Sequence, residues 1–300
     1  MRSEIKELTS GLSHKWDKTE TLAMFEKFCD IRYFEYEVKK AYDKDIIHMP
    51  VYLSIGQEAI SSSLAVVLKK FNPAIFAQHR AHGMYISFGG NLDELRDEIL
   101  HKGTGCAKGM GGSASIHSPA IRMYGHDGLM GTQVPIGVGH SYSQNYKANK
   151  KDYSIIVMGD ASAEEDYVLG ALGYAAHKKL PILFICEDNN LSILTEIKVR
   201  RNWKIVDVAK SFGMTVAETV DDPWSIMSHA KNLSNNLPAF LNIHTARSVW
   251  HAGTGSDGPP EWDRFDLIKK DLDNIGLKKE AEEIENNSKE KMEELWKTQL

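Results

Sequence analysis

Hydrophobic residues near the amino end recur at helical spacing in two segments. Over residues 17–42 they fall three to four positions apart, which predicts a long amphipathic helix. The apolar positions of this helix are Leu22, Met24, Phe25, Phe28, Ile31 and Phe34. A second predicted helix follows residue 58 and ends near the lysines at 69 and 70. Its apolar positions are Ala59, Ile60, Leu64 and Val67.

From residue 153 onward, short apolar runs alternate with amphipathic segments. The runs that predict strands are 153–158, 181–186, 213–218 and 238–244. The segments that predict helices are 164–177, 203–210 and 222–232. Fully apolar strands that alternate with helices are typical of a parallel sheet flanked by helices on both faces. The predicted fold class is therefore α/β, with a mostly parallel sheet.

Two segments differ from this alternation. Residues 103–131 are rich in glycine and poor in helix formers, which predicts a long ordered loop. Such loops in compact domains usually carry function. Residues from about 261 to 300 are highly charged and helical, without obvious chemistry. With no internal repeat or disordered linker, we predict a single domain over residues 1–300.

Composition and charge exclude several classes of protein. The chain has 300 residues, 26% charged and 42% hydrophobic, with a formal net charge of −5, which does not favour an electrostatic nucleic-acid binder. A secretory h-region and a run of about 18 apolar residues are both missing, so we expect neither secretion nor a membrane span. Three cysteines in no metal-like or redox-like spacing fit a reducing compartment, and we expect a cytoplasmic location.

The strongest chemical signal lies where two predicted strands end. The strand 153–158 runs into Gly159 and Asp160, and the next strand ends at residues 187–190, which include Asn189. A strand-helix-strand unit takes about 30 residues, so the two strand ends are expected side by side. Asp160 is then placed to hold a hard cation, while Gly159 and the amino end of the next helix admit a phosphate. The plainer interpretation is that Asp160 caps that helix and residues 189–190 form a turn.

Four further motifs precede Gly159-Asp160 along the chain. They are Tyr52-Leu-Ser-Ile-Gly-Gln-Glu-Ala59, His79-Arg-Ala-His-Gly83, Thr104-Gly-Cys-Ala-Lys-Gly-Met-Gly-Gly-Ser113 and Gly128-Leu-Met-Gly-Thr-Gln-Val-Pro135. Together with the Gly-Asp and Asn pair, the series resembles the alpha subunit of the decarboxylating component of 2-oxo acid dehydrogenase complexes. The likeness covers roughly residues 20–265 and implies a thiamine diphosphate-binding fold that uses thiamine diphosphate and Mg²⁺.

The resemblance implies a role for each matching residue. Asp160, the side chain of Asn189 and the backbone carbonyl of Leu191 bind Mg²⁺, whose octahedral shell the cofactor's phosphates complete. Arg80 clamps the diphosphate with its planar, permanently charged fork; the alternative is a surface ion pair. The other expected cofactor contacts are His79, Gly128, Met130, Gly159, Ala161 and Ser162. Ala161 and Ser162 donate amides to the diphosphate, and Gly128 and Met130 touch the aminopyrimidine ring.

Two histidines are expected to act catalytically. His251 follows Thr245 and Arg247 in a motif that the family places near the diphosphate and the reacting carbon, so we expect it to bind the cofactor as well. A lone loop histidine is otherwise a solvated residue. His82 is expected near the site rather than as a zinc ligand, because no cysteine or carboxylate accompanies it at ligand spacing.

The sequence departs from the family pattern at five positions. They are Tyr52, His79, Ala161, Asp188 and Trp250. Because none of these positions is an expected metal ligand, they leave the cofactor prediction intact and leave the substrate open.

The resemblance also implies partners. A separate beta subunit supplies the glutamate that activates the aminopyrimidine, so we expect an α2β2 tetramer and an inactive isolated chain. A lipoyl acyltransferase is the acceptor partner in the family, and we expect no nucleic-acid or membrane partner. The expected function is decarboxylation of a 2-oxo acid with transfer of the acyl unit. The alternatives are a biosynthetic decarboxylase or carboligase subunit and a non-catalytic scaffold relative. A Gly-x-Gly-x-x-Gly match at 253–258 is discounted because no strand follows it.

Overall fold

A six-stranded parallel sheet forms the centre of the protein. The computed structural model describes residues 5–125, 128–147, 152–256 and 258–300. The strands are β1 (Ala74–Phe76), β2 (Met123–Tyr124), β3 (Ser154–Gly159), β4 (Ile182–Asp188), β5 (Leu191–Ser192), β6 (Thr195–Glu196), β7 (Thr215–Val220) and β8 (Ala239–His244). The sheet order is β2-β1-β3-β4-β8-β7, and β5 and β6 form a separate antiparallel hairpin. All neighbouring strands of the sheet are parallel.

Helices cover the sheet and the end of the chain. They are α1 (Lys18–Asp43), α2 (Glu58–Leu68), α3 (His82–Phe88), α4 (Leu92–Ile99), α5 (Gln133–Lys147), α6 (Asp166–Lys178), α7 (Ile197–Arg200), α8 (Ile205–Ser211), α9 (Pro223–Leu233), α10 (Arg264–Asn274) and α11 (Lys278–Trp296). None of the described helices combines the length and apolarity needed to cross a membrane.

The two faces of the sheet bury different sets of side chains. Successive residues of a strand point to opposite faces, so β3 contributes to two cores. Ile155 and Val157 pack in one hydrophobic cluster with α1, α2 and α9. Ile156 and Met158 pack in a second cluster with α5, α6 and α8. The α/β class with helices on both faces is therefore confirmed, and the reason is the two-sided apolarity of the strands.

The long periodic elements lie where the sequence predicts them. The first helix begins at Lys18 because Asp17 caps it, its carboxylate accepting a hydrogen bond from the Thr19 amide at 2.7 Å. The four predicted strands and the helices between them are all present, with bounds shifted by at most two residues. The charged tail forms α10 and α11, and α11 inserts the fully buried Trp296 against Phe34 of α1 at 5.7 Å between ring centroids.

The glycine-rich segment is folded around one buried carboxylate. Glu98, at the end of α4, accepts backbone hydrogen bonds from Ala107 at 2.7 Å and Gly109 at 2.9 Å. Its other oxygen accepts from Gly111 at 2.7 Å and Gly112 at 3.2 Å. The predicted long loop is thus ordered by a side chain outside it. The short strand β2 interrupts it, and positions 126 and 127 of the prediction, like position 257 of the glycine match, lie outside the described residues.

Candidate active site

A cavity of about 200 Å³ opens at the carboxyl ends of β3 and β4. Strand register places Gly159 opposite Glu187, so the residues after each strand lie side by side. All of the predicted site residues except His82 and Gly128 line this cavity: His79, Arg80, Met130, Gly159, Asp160, Ala161, Ser162, Asn189, Leu191 and His251. The sequence interpretation missed four other lining residues, which are Gln78, Glu187, Ser192 and Ile193.

Asp160 is a buried carboxylate inside an arginine cluster. It is 2% exposed, and its Oδ2 is ion-paired with Arg200. Arg201 donates to the Asp160 backbone carbonyl at 2.7 Å, and Glu164 accepts from Arg200 at 2.6 Å and from Arg201 at 2.7 Å. Burial and then the nearby charge of Asp188 raise the pKa of Asp160 to about 7, against the opposing effect of the arginines. The plainer interpretation is wrong for Asp160, because α6 begins after Glu165 without a side-chain cap.

Asn189 sits in a tightly bonded turn between β4 and the β5–β6 hairpin. Its Oδ1 accepts from the Leu191 amide at 3.1 Å, and its Nδ2 donates to Gln57 at 3.0 Å. Asp188 accepts from the Asn190 amide at 2.9 Å, and Asn190 has the left-handed φ of 67° that asparagine tolerates. Residues 189–190 do form a turn, and that turn presents Asn189 and Leu191 to the same cavity as Asp160.

Arg80 is buried and bridges two loops. It is 5% exposed and donates to the Leu53 carbonyl at 2.6 Å and to the His251 carbonyl at 3.3 Å. Burial, with a smaller effect of the Arg247 charge, lowers the pKa of Arg80 to about 10. The alternative of a surface ion pair is therefore wrong.

Glu187 and Gln78 form a second buried pair in the cavity wall. Gln78 donates to the Glu187 carboxylate at 2.5 Å. Burial raises the pKa of Glu187 to about 7, opposed by the hydrogen bond from Gln78 and the charge of Arg80. A charged residue at the end of an apolar strand was the available signal for Glu187. Gln78 follows the three-residue strand β1, which is too short to give a recognisable pattern.

Three rings pack together where His251 reaches the cavity. The ring centroids of Tyr52 and His79 are 4.9 Å apart, those of His79 and His251 are 5.4 Å apart, and those of Tyr52 and His251 are 5.8 Å apart. We call this group the aromatic cluster. His251 is therefore held by neighbours rather than simply solvated. Two of the three rings stand at positions where the sequence departs from the family pattern.

His82 and Gly128 lie elsewhere. The His82 ring is fully buried, 3.0 Å from Glu35 through Nδ1 and 3.0 Å from Ser113 through Nε2. Ser113 Oγ in turn accepts from the Tyr52 amide at 2.9 Å, so His82 supports the aromatic cluster from outside the cavity. This position does not support the predicted catalytic contact for His82. Gly128 lines a separate pocket formed within the glycine-rich segment.

The donors in the cavity suit a hard cation and a phosphate. Among the described residues, no group of three or more His, Cys, Asp or Glu side chains is arranged to hold a metal ion. The cavity instead offers the carboxylate of Asp160, the amide of Asn189 and the backbone of Leu191, a mixed oxygen set that Mg²⁺ accepts when phosphates complete its shell. A Cβ at Gly159 would lie 3.0 Å from Gln78 Oε1, so a glycine there keeps the backbone accessible. The residues therefore fit a magnesium diphosphate group.

Comparison with known proteins gives one consistent family. The model of the family described as "Dehydrogenase E1 component" matches residues 26–234. The pyruvate dehydrogenase E1 component subunit alpha of Zymomonas mobilis is 30% identical over 279 residues, covering 87% of this chain and 78% of that protein. The mitochondrial subunit of the same name from Solanum tuberosum is 31% identical, over 59% of this chain and 44% of its own length.

Solved structures share the fold. The transketolase of Campylobacter jejuni superposes with a TM-score of 0.60 at 15% identity, over 94% of this chain and 49% of that chain. A Pichia stipitis transketolase gives a TM-score of 0.59 at 15% identity, over 92% of this chain and 46% of that one. This chain thus spans about half the length of the transketolases that it matches. Since the family model covers well over half of the residues, the chain belongs to the dehydrogenase E1 component family.

Proposed function

We propose that the chain is the alpha subunit of a thiamine diphosphate- and Mg²⁺-dependent enzyme that decarboxylates a 2-oxo acid. One observation carries the proposal: Asp160, Asn189 and Leu191 reach one cavity at the carboxyl ends of β3 and β4, together with Arg80 and His251. Family membership and relatives named as pyruvate dehydrogenase alpha subunits support the same assignment.

The residues of the chain divide the work of holding the cofactor. Asp160, Asn189 and the Leu191 carbonyl would hold the metal ion, and the buried Arg80 would neutralise the diphosphate. When bound, thiamine diphosphate supplies the carbanion chemistry and the electron sink that decarboxylation needs. The protein contributes position and charge, because a buried arginine and a bound cation stabilise phosphate far better in a water-poor cavity than in bulk water.

The aromatic cluster reaches the cavity through His79 and His251. Tyr52 and His79 confine the space next to His251, and we assign to this cluster the choice of substrate. Arg80 donates a hydrogen bond to the backbone carbonyl of His251. The position of the arginine that is assigned to the diphosphate is therefore linked to the position of the His251 ring.

A second chain completes the enzyme in this proposal. The beta subunit supplies the activating glutamate in an α2β2 assembly, and a lipoyl carrier accepts the acyl unit. Within the described lining, Glu187 is engaged by Gln78 and lies beside Arg80, which suits the diphosphate end rather than the ring end. The aromatic cluster favours one alternative, a biosynthetic decarboxylase or carboligase with a specialised substrate.

The test is a calorimetric titration of the assembled enzyme with thiamine diphosphate in the presence and absence of Mg²⁺. We expect Mg²⁺-dependent binding that Asp160→Ala abolishes. Asp97→Ala is the matched control, because Asp97 is also a partly buried aspartate paired with an arginine, 13% exposed and outside the cavity. Binding that does not need Mg²⁺, or that survives Asp160→Ala, would refute the proposal.

A further inference from the structure

Arg200 occupies an unusual place for a residue of a magnesium site. It is the last residue of α7, is 11% exposed, and joins the carboxylates of Asp160 and Glu164. Its Nε also donates to the Thr195 carbonyl at 3.1 Å. Arg200 is not among the residues that line the cavity, although it contacts Asp160, which is.

We propose that Arg200 is a competing cation that holds Asp160 and must be displaced when Mg²⁺ binds, so that it sets the affinity of the metal site. This inference rests on the proposed function. A guanidinium and a divalent ion on one carboxylate repel each other strongly when that carboxylate is buried, and Asp160 is 2% exposed. The ion pair of Asp160 with Arg200 is therefore broken or weakened as the metal is bound.

The chain path couples this exchange to a metal ligand. The hairpin β5–β6 begins at Leu191, whose carbonyl is assigned to the metal, and leads directly into α7 and Arg200. One short segment thus carries both a ligand of the metal and its competitor. Val199 on the same turn is 72% exposed, so little packing resists a movement of α7.

A tryptophan reports on this segment. Arg201 lies over the Trp203 ring at 4.8 Å and also contacts the Asp160 carbonyl and Glu164. A displacement of Arg200 that moves α7 changes the surroundings of Trp203. The fluorescence of this residue therefore gives a readout that is independent of catalysis.

The affinity test titrates Mg²⁺ into the assembled enzyme with saturating thiamine diphosphate, comparing wild type with Arg200→Gln. We expect binding about tenfold tighter in the variant, the size that loss of one competing charge-assisted hydrogen bond gives. Arg200→Lys keeps the charge without the planar fork and should lie between the two. Arg96→Gln is the matched control, because Arg96 is 13% exposed and pairs with Asp97, and neither residue lines the cavity.

The displacement test follows Trp203 fluorescence during the same titration, with Trp203→Phe identifying its signal. We expect a Mg²⁺-dependent change in wild type that is absent from Trp203→Phe. Unchanged or weaker Mg²⁺ affinity in Arg200→Gln, or metal binding without a Trp203 signal, overturns the role of Arg200 alone. No Mg²⁺-dependent cofactor binding by wild type overturns the proposed function, and this inference with it.

Discussion

Replacing Glu98 by glutamine tests whether one carboxylate holds the glycine-rich segment in place. Glu98 accepts hydrogen bonds from four backbone amides, whose nitrogens lie 2.7–3.2 Å from its two oxygens. Its side chain is fully buried. Glutamine has nearly the same shape, but its amide nitrogen is a donor and faces two N–H groups. Two charge-assisted hydrogen bonds are lost and two buried donors are left without an acceptor.

The expected loss of stability is large for a change of one atom. Each hydrogen bond to a charged group contributes roughly 1.5–3 kcal/mol, so Glu98→Gln should lower the free energy of unfolding by about 3–6 kcal/mol. Urea unfolding measures this loss, and hydrogen exchange at Ala107, Gly109, Gly111 and Gly112 measures its local origin. Ser113 directly follows Gly112 and its hydroxyl accepts from the Tyr52 amide, so the aromatic cluster should loosen as well.

Asp93→Asn is the control for this prediction. Asp93 lies on the same helix, is 66% exposed and pairs with Arg96, so its loss should cost about 0.5 kcal/mol or less. If Glu98→Gln unfolds at the same urea concentration as Asp93→Asn and the four amides exchange no faster, the carboxylate does not hold the segment.

Three further predictions concern stability. Arg32→Met leaves the fully buried Glu58 without its ion-pair partner and should cost about 3–5 kcal/mol in urea unfolding. Trp296→Ala empties the pocket of α11 on α1 and should cost about 3–5 kcal/mol by the same assay. The hydrogen bond with His244 lowers the pKa of Glu218 below its usual 4.5. This stabilisation is present above that value and is lost as pH falls through the folded pKa, so Glu218→Gln should flatten the acid limb of stability against pH.

Exposed neighbours serve as controls for the first two of these predictions. Lys39→Met on α1 and Lys297→Ala beside Trp296 alter side chains that are 37% and 69% exposed, and each should change stability by about 0.5 kcal/mol or less. If Arg32→Met or Trp296→Ala loses no more stability in urea than its control, burial of that side chain does not stabilise the fold as argued. For Glu218, an acid limb that stays parallel to that of wild type rules out the linkage.

Local signals account for the parts of the fold that the sequence predicted. The strands β3, β4 and β8 are buried on both faces, so each is rich in apolar residues and is recognisable from sequence alone. The strands β1 and β2 have three and two residues, too few to show any periodicity. Their place in the sheet depends on partners far along the chain, which a local pattern does not contain.

In the candidate site, too, some features follow from local sequence patterns and others depend on residues far along the chain. Asp160 and Asn189 follow long apolar strands, so topology alone brings them to one edge of the sheet. Arg200 is 40 positions from Asp160, and their ion pair exists because the β5–β6 hairpin folds back across the strand ends. His82 belongs to a recognisable motif, yet the fold turns its ring toward Glu35, away from the cavity. A motif thus predicts which residues lie near the site, and long-range packing decides which of their side chains reach the cavity.

The hydrogen bonds of Arg80 show a structural task that the sequence motif did not predict. Its two bonds to the carbonyls of Leu53 and His251 tie together the loops that carry Tyr52 and His251. A lysine has one compact charge on a flexible stem and cannot donate along two fixed directions of a planar fork. Neutralising a phosphate requires only the positive charge and does not require hydrogen bonds to these two carbonyls. The two bonds to backbone carbonyls therefore call for an arginine at this position to close the aromatic cluster, apart from the charge that the proposed function assigns to it.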